Sequence, residues 1–121
     1  MFSIEVTEYF WAGHQLRFGD GSKEPYHAHN WRITAQVSGE TLNKIGLLID
    51  FLKLQKMLKG ILEELAKASL EQIPYFQQNN PSAETIARYV YRKLAQQMPE
   101  NVKLAAVGVE ESPGCVANYS E

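Results

Sequence analysis

The stretch Trp31-Arg-Ile-Thr-Ala-Gln-Val37 decides the fold. Trp31, Ile33, Ala35 and Val37 fall at every second position, with Arg32, Thr34 and Gln36 between them. A period of two puts the first set on one face of a strand and the second on the other. Upstream, Ile4, Val6, Glu8 and Phe10 repeat that period, so the two runs read as the arms of a long hairpin. The segment between them, Phe18-Gly-Asp-Gly-Ser-Lys-Glu-Pro25, carries two glycines, an aspartate and a proline. It is a loop longer than a two-residue turn, and such loops carry function.

Downstream the period changes. After a polar link around Ser38 to Lys44, Phe51, Leu54, Leu58, Ile61, Leu62 and Leu65 recur at helical spacing, with Lys53, Lys56, Lys59, Glu63 and Glu64 opposite. This predicts a helix over about 51–67. Ile73-Pro74-Tyr75 through Asn79 breaks it, and Asn80 followed by Pro81 supplies a cap and a first helical residue for a second helix. Ala83, Ile86, Ala87, Val90 and Leu94 form its stripe, and it ends near Met98 and Pro99. Val102 to Val109 suits a buried strand, with Val116 to Tyr119 as a short partner across Ser112-Pro113-Gly114. The order is strand, strand, helix, helix, strand, strand. This is an α+β pattern with helices on one sheet face.

The 121 residues fit a single domain over 1–121. Hydrophobic residues at 45% and charged residues at 21% are ordinary globular usage and exclude a disorder-dominated chain. Basic residues are scattered and the net charge is -2, which argues against a nucleic-acid partner. No apolar run approaches the ~20 residues of a membrane span, and the alternating N-terminus does not resemble a leader. Cys115 is the sole cysteine, so an intramolecular disulfide is excluded and a cytoplasmic setting is expected.

All three histidines, His14, His27 and His29, lie within the first thirty residues. On a strand His27 and His29 share a face with Cα atoms ~6.7 Å apart, a span that two imidazoles can close around one metal ion. Such a pair alone fits a solvated strand edge equally well. His14 ends the first strand, and antiparallel pairing around the loop brings it beside the other two. Three neutral imidazoles suit Zn2+ and leave one tetrahedral position open, as in catalytic sites.

These residues resemble a known family. Phe10-Trp-Ala-Gly-His14-Gln-Leu16 is similar to the FxAxHxL opening of the 6-pyruvoyltetrahydropterin synthase and 6-carboxytetrahydropterin synthase family, and His27-Ala-His29-Asn-Trp31 to its HGHNY block. Gly46-Leu-Leu-Ile-Asp50-Phe51, Asn80-Pro-Ser-Ala-Glu84 and Glu111-Ser through Tyr119 resemble three further blocks in the same order. The resemblance implies the tunnelling fold, a four-stranded antiparallel sheet with two helices on one face. It also implies assembly through the sheets into a barrel, commonly as a homo-hexamer. It implies zinc on His14, His27 and His29, a pterin substrate such as 7,8-dihydroneopterin triphosphate, and Glu111 as the carboxylate that anchors the pterin. A carboxylate suits the paired N–H donors of an aminopyrimidinone edge.

The catalytic positions depart from the family pattern. Where one branch has a cysteine base, this chain has Lys23. Glu24, three residues before His27, instead resembles a branch in which glutamate replaces that thiol and 6-hydroxymethyl-7,8-dihydropterin is formed. A carboxylate beside zinc can accept a proton. The family's Asp-His relay falls on Ala66 and Lys67 when Leu70-Glu-Gln-Ile-Pro74 is aligned with the family's LNDIP. Two functions follow from the resemblance. One is a zinc-dependent pterin lyase of a queuosine-type or folate-type precursor pathway with Glu24 as base. The other is an altered paralogue that binds zinc and a pterin-like or purine-like ligand.

Overall fold

The computed structural model describes residues 1–121. The hairpin is its spine. Strands β1 (Phe2–His14) and β2 (His27–Gly39) pair antiparallel in unbroken register, from Phe2 opposite Gly39 to His14 opposite His27. β3 (Lys103–Ser112) and β4 (Cys115–Tyr119) complete a four-stranded antiparallel sheet in the order β1-β2-β3-β4. The β3–β4 turn uses Gly114 at φ 85°, a left-handed conformation that glycine adopts without steric cost. Register shifts between Glu110 and Ser112, so Glu111 has no cross-strand partner. Bulges of this kind free a side chain from the ladder.

One face of the sheet is covered and the other is not. Phe10, Trp31, Ile33, Ala35, Val37, Val107 and Val109 are buried beneath α1 (Phe51–Leu65) and α3 (Ala83–Ala95). From the helices Leu54, Leu58, Leu65, Ile86, Val90 and Leu94 are fully buried against them, each contributing about 1.5–3 kcal/mol of apolar transfer. This satisfies the alternation read in 31–37.

The helical expectations need four corrections. The first helix stops at Leu65, because Ala66 turns out of helical geometry at ψ 73°. Its start is fixed by Asp50, whose carboxylate accepts the Leu52 N–H. The breaking segment is itself helical: a 3-10 turn at Leu70–Gln72 leads into α2 (Pro74–Gln78), so three helices accompany the sheet. The cap of α3 is Ser82 and not Asn80, since Ser82 and Thr85 form a reciprocal capping box that leaves Pro81 outside the helix. α3 ends at Ala95, short of Met98. No helix is long and apolar enough to cross a membrane.

Candidate metal centre

The hairpin register builds the site. Because His14 pairs directly with His27, and His29 follows on the same strand face, the three rings meet at one end of the sheet. Their centroids are 4.5 Å (His14–His27), 4.7 Å (His27–His29) and 5.3 Å (His14–His29) apart, all edge to face. Trp31 forms the floor. It is fully buried, its indole N–H donates to the Ala12 carbonyl, and its ring lies 4.9 Å from His14 and 5.2 Å from His29.

Hydrogen bonds select the ring tautomers. His14, only 1% exposed, donates from Nδ1 to the Pro81 carbonyl at 2.7 Å, and His27 donates from Nδ1 to the Pro25 carbonyl at 2.9 Å. A carbonyl only accepts, so both rings carry a proton on Nδ1, and in the neutral ring that tautomer presents a lone pair at Nε2. Those two Nε2 atoms face each other at 2.9 Å. Two lone pairs at that separation repel unless a cation or a proton lies between them. The buried His29 Nε2 has no hydrogen-bond partner. Burial pushes the His29 imidazole below its ordinary value, with the neighbouring His27 and His14 acting in the same direction and the Glu111 carboxylate opposing them. Neutral imidazoles with converging lone pairs are what a divalent zinc site requires. The residues fit the metal.

Two carboxylates complete the centre. Glu111 Oε1 lies 3.1 Å from both His14 Nε2 and His29 Nε2, and the ligand atoms of the three histidines and Glu111 all fall within 4.8 Å of one another. Glu111 is thus inside the cluster, and one of its oxygens is placed as a fourth donor. Glu24 Oε1 stands slightly farther away, 3.8 Å from His27 Nε2 and 4.0 Å from His14 Nε2.

The chain leaving His14 runs beyond the β1–β2 ladder and pairs only through an isolated antiparallel bridge between Arg17 and Lys23, and side chains satisfy three successive amides. Gln15 N–H donates to Glu71 Oε1 at 2.8 Å, Leu16 N–H to Glu24 Oε1 at 3.0 Å and Arg17 N–H to Asn80 Oδ1 at 2.8 Å. Asn80 returns a bond from Nδ2 to the Arg17 carbonyl at 2.7 Å. Glu71 is also bonded by the Ser69 hydroxyl. Sequence reasoning gave neither Glu71 nor Asn80 a place in the site. Lys67, at the former relay position, is exposed and makes no side-chain hydrogen bond or ion pair.

A candidate metal centre of three histidines and a carboxylate at the end of one antiparallel sheet, with its helices on a single face, defines a small α+β domain of the tunnelling-fold type. Residues 3–121 match the family model described as 6-pyruvoyl tetrahydropterin synthase, and the chain belongs to that family. The dihydroneopterin monophosphate aldolase of Pyrococcus furiosus is 33% identical over 88 residues, covering 73% of this chain and 72% of the relative. A putative 6-pyruvoyl tetrahydrobiopterin synthase of Caenorhabditis elegans is 25% identical over 130 residues, covering 97% of this chain and 93% of the relative. The fold superposes on a solved 6-pyruvoyl tetrahydropterin synthase from C. elegans with TM-score 0.88 at 23% identity, covering 99% of this chain and 95% of that one. The curated relatives carry pterin synthase and aldolase names.

Proposed function

We propose that the protein is a zinc-dependent pterin lyase that cleaves the carbon–carbon bond of a dihydroneopterin phosphate side chain, with Glu24 as the base. The observation that carries the reading is the convergence of three imidazole Nε2 atoms with one further carboxylate, Glu24, held within 4.0 Å of two of them. The 33% identity to a dihydroneopterin monophosphate aldolase supports the aldol form of the reaction.

The Nε2 atoms of His14, His27 and His29 hold the metal, which when bound supplies Lewis acidity toward the side-chain hydroxyls. Glu111 anchors the aminopyrimidinone edge through its carboxylate. Glu24 removes the proton of the hydroxyl on the second side-chain carbon. The electron pair of the bond between the first and second carbons moves to the first, where the conjugated C=N of the dihydropterin ring accepts it. The second carbon leaves as the aldehyde of a two-carbon fragment. Glu24 then returns its proton to the first carbon, and a hydroxymethyl group remains on the pterin.

One carboxylate closes this cycle, because the proton taken is the proton returned. Triphosphate elimination with rearrangement calls for separate proton transfers, and the relay positions here are Ala66 and Lys67. The single base therefore favours cleavage. The reading includes a homo-oligomer in the cytoplasm, a hexamer by resemblance. The sheet ends in β1 and β4, and edge strands offer unpaired backbone groups for such assembly.

The test is to incubate the zinc-loaded protein with dihydroneopterin mono- and triphosphate and identify pterins by mass. The expected product is 6-hydroxymethyl-7,8-dihydropterin with a two-carbon aldehyde. A 6-pyruvoyl or 6-carboxy product would replace the aldol step, and tight pterin binding without turnover would make the chain a binder.

A further inference from the structure

The connector between α2 and α3 touches the metal centre at two consecutive residues. Pro81 accepts the Nδ1–H of His14 at 2.7 Å, the bond that leaves His14 Nε2 free to ligate. Asn80 closes a two-bond ring with the Arg17 backbone, at 2.8 Å and 2.7 Å. This imitates one rung of an antiparallel ladder on the edge of Arg17 that faces away from its bridge partner Lys23. Arg17 lies three residues beyond His14, and its neighbour Leu16 is bonded both ways to Glu24. Asn80 is itself fixed from below: its carbonyl accepts from the Ser82 N–H at 2.8 Å and from the Thr85 hydroxyl, both in the α3 capping box.

We infer that Asn80 is a positioning residue of the metal centre: by tying the Arg17 backbone to the start of α3, it holds the Pro81 carbonyl on His14 Nδ1 and the Glu24 loop beside the histidines. The inference rests on the metal reading above. Asn80 touches neither metal nor substrate. It acts through His14 and through the backbone between His14 and Glu24, and partners that orient a metal-bound imidazole typically change metal affinity by about 10–100-fold when removed.

The experiment compares Asn80→Ala with the unaltered protein and with Tyr91→Phe. Tyr91 donates to the Leu104 carbonyl within α3's buried face, away from the histidines, so its loss lowers stability alone. Zinc affinity is measured by competition with a chromophoric chelator, and the Co2+-substituted site by its visible absorption. Asn80→Ala is expected to weaken zinc at least tenfold and to change the Co2+ band, while Tyr91→Phe keeps the band and stays within about threefold in affinity. A zinc-free readout accompanies these: imidazole 1H–15N correlations are expected to show His14 as the Nδ1–H tautomer, and Asn80→Ala to mix its tautomers. If Asn80→Ala does not fold, Asn80→Asp, which keeps an acceptor for the Arg17 N–H and loses the donor, is expected to show the same changes. Unchanged zinc affinity, Co2+ band and His14 tautomer in the Asn80 variant would overturn the inference and leave the metal reading intact. Failure of the unaltered protein to take up zinc would overturn the metal reading, and this inference with it.

Discussion

Leu16 and Glu24 are bonded to each other twice. The Leu16 amide donates to Glu24 Oε1 at 3.0 Å, and the Glu24 amide donates to the Leu16 carbonyl at 3.0 Å. A loop carboxylate on a surface turn would ordinarily sample several rotamers. Here backbone and side chain are pinned to one neighbour, and Oε1 stays within 4.0 Å of two imidazoles. This separates Glu24 from the other acidic group of the loop, since Asp20 caps its own turn through Ser22.

Glu24→Gln keeps an oxygen for the Leu16 amide and removes the base. The expected outcome is a fall in kcat of about 10²–10⁴-fold, with zinc content and melting temperature near those of the unaltered protein. Turnover that survives this change would remove Glu24 from the reaction.

Much of this arrangement is legible in the sequence, and the limits are physical. The period-two runs around Phe10 and Trp31 fix the strands because a half-buried strand has to alternate. Once those strands pair, the positions of His14, His27 and His29 follow from register alone. The capping of α3 is misread because Asn80-Pro81 satisfies the local rule for a helix start. Ser82 with Thr85 satisfies it better, and it frees Asn80 for a partner 63 residues away. Such long-range side-chain-to-backbone bonds have no periodicity, so neither Asn80 nor Glu71 stands out in the chain. Glu111 is found by resemblance, but its place inside the cluster depends on a bulge that no local pattern announces.

Glu111 Oε1 is close enough to two histidines to act as a fourth donor, and its carboxylate is also suited to a pterin edge. Glu111→Gln distinguishes the roles. As the anchor, it is expected to raise KM at least tenfold with zinc affinity unchanged within about threefold. A loss of zinc affinity with little change in KM would assign it to the metal instead.

His29 predicts a pH dependence in the metal-free protein. Its folded-state pKa is lowered from 6.5, chiefly by burial. As pH falls below 6.5 the unfolded chain binds the proton first. Stability therefore declines through the window between that value and the lower folded one, and is fully present above it. The check is a series of thermal melts in chelator, comparing the unaltered protein with His29→Asn. The variant is expected to show a shallower acid slope, and equal slopes would refute the assignment to His29. Added zinc is expected to raise the melting temperature of the unaltered protein, because a ligand bound only by the folded state stabilises it by about 2.7 kcal/mol at a hundredfold excess over Kd.

Gly13, beside His14, is required by space and not by backbone angle. A Cβ placed there would lie 1.8 Å from Tyr26 Oη, 2.2 Å from Tyr26 Cζ and 2.6 Å from the Ala68 carbonyl oxygen. Tyr26 is about half exposed and can swing away. The Ala68 carbonyl belongs to the segment that carries Ser69 and Glu71 against the end of β1, and it cannot move without drawing Glu71 from the Gln15 amide. Gly13→Ala is therefore expected to cost about 1–3 kcal/mol, the usual range for overpacking, and to weaken zinc binding through His14. Tyr26→Ala in the same chain is expected to recover only part of that stability, because the clash with the backbone carbonyl remains. Denaturant melts of the single and double variants decide it. Full recovery in the double variant would show that the tyrosine ring alone demands the glycine and that the 66–69 segment is free to yield.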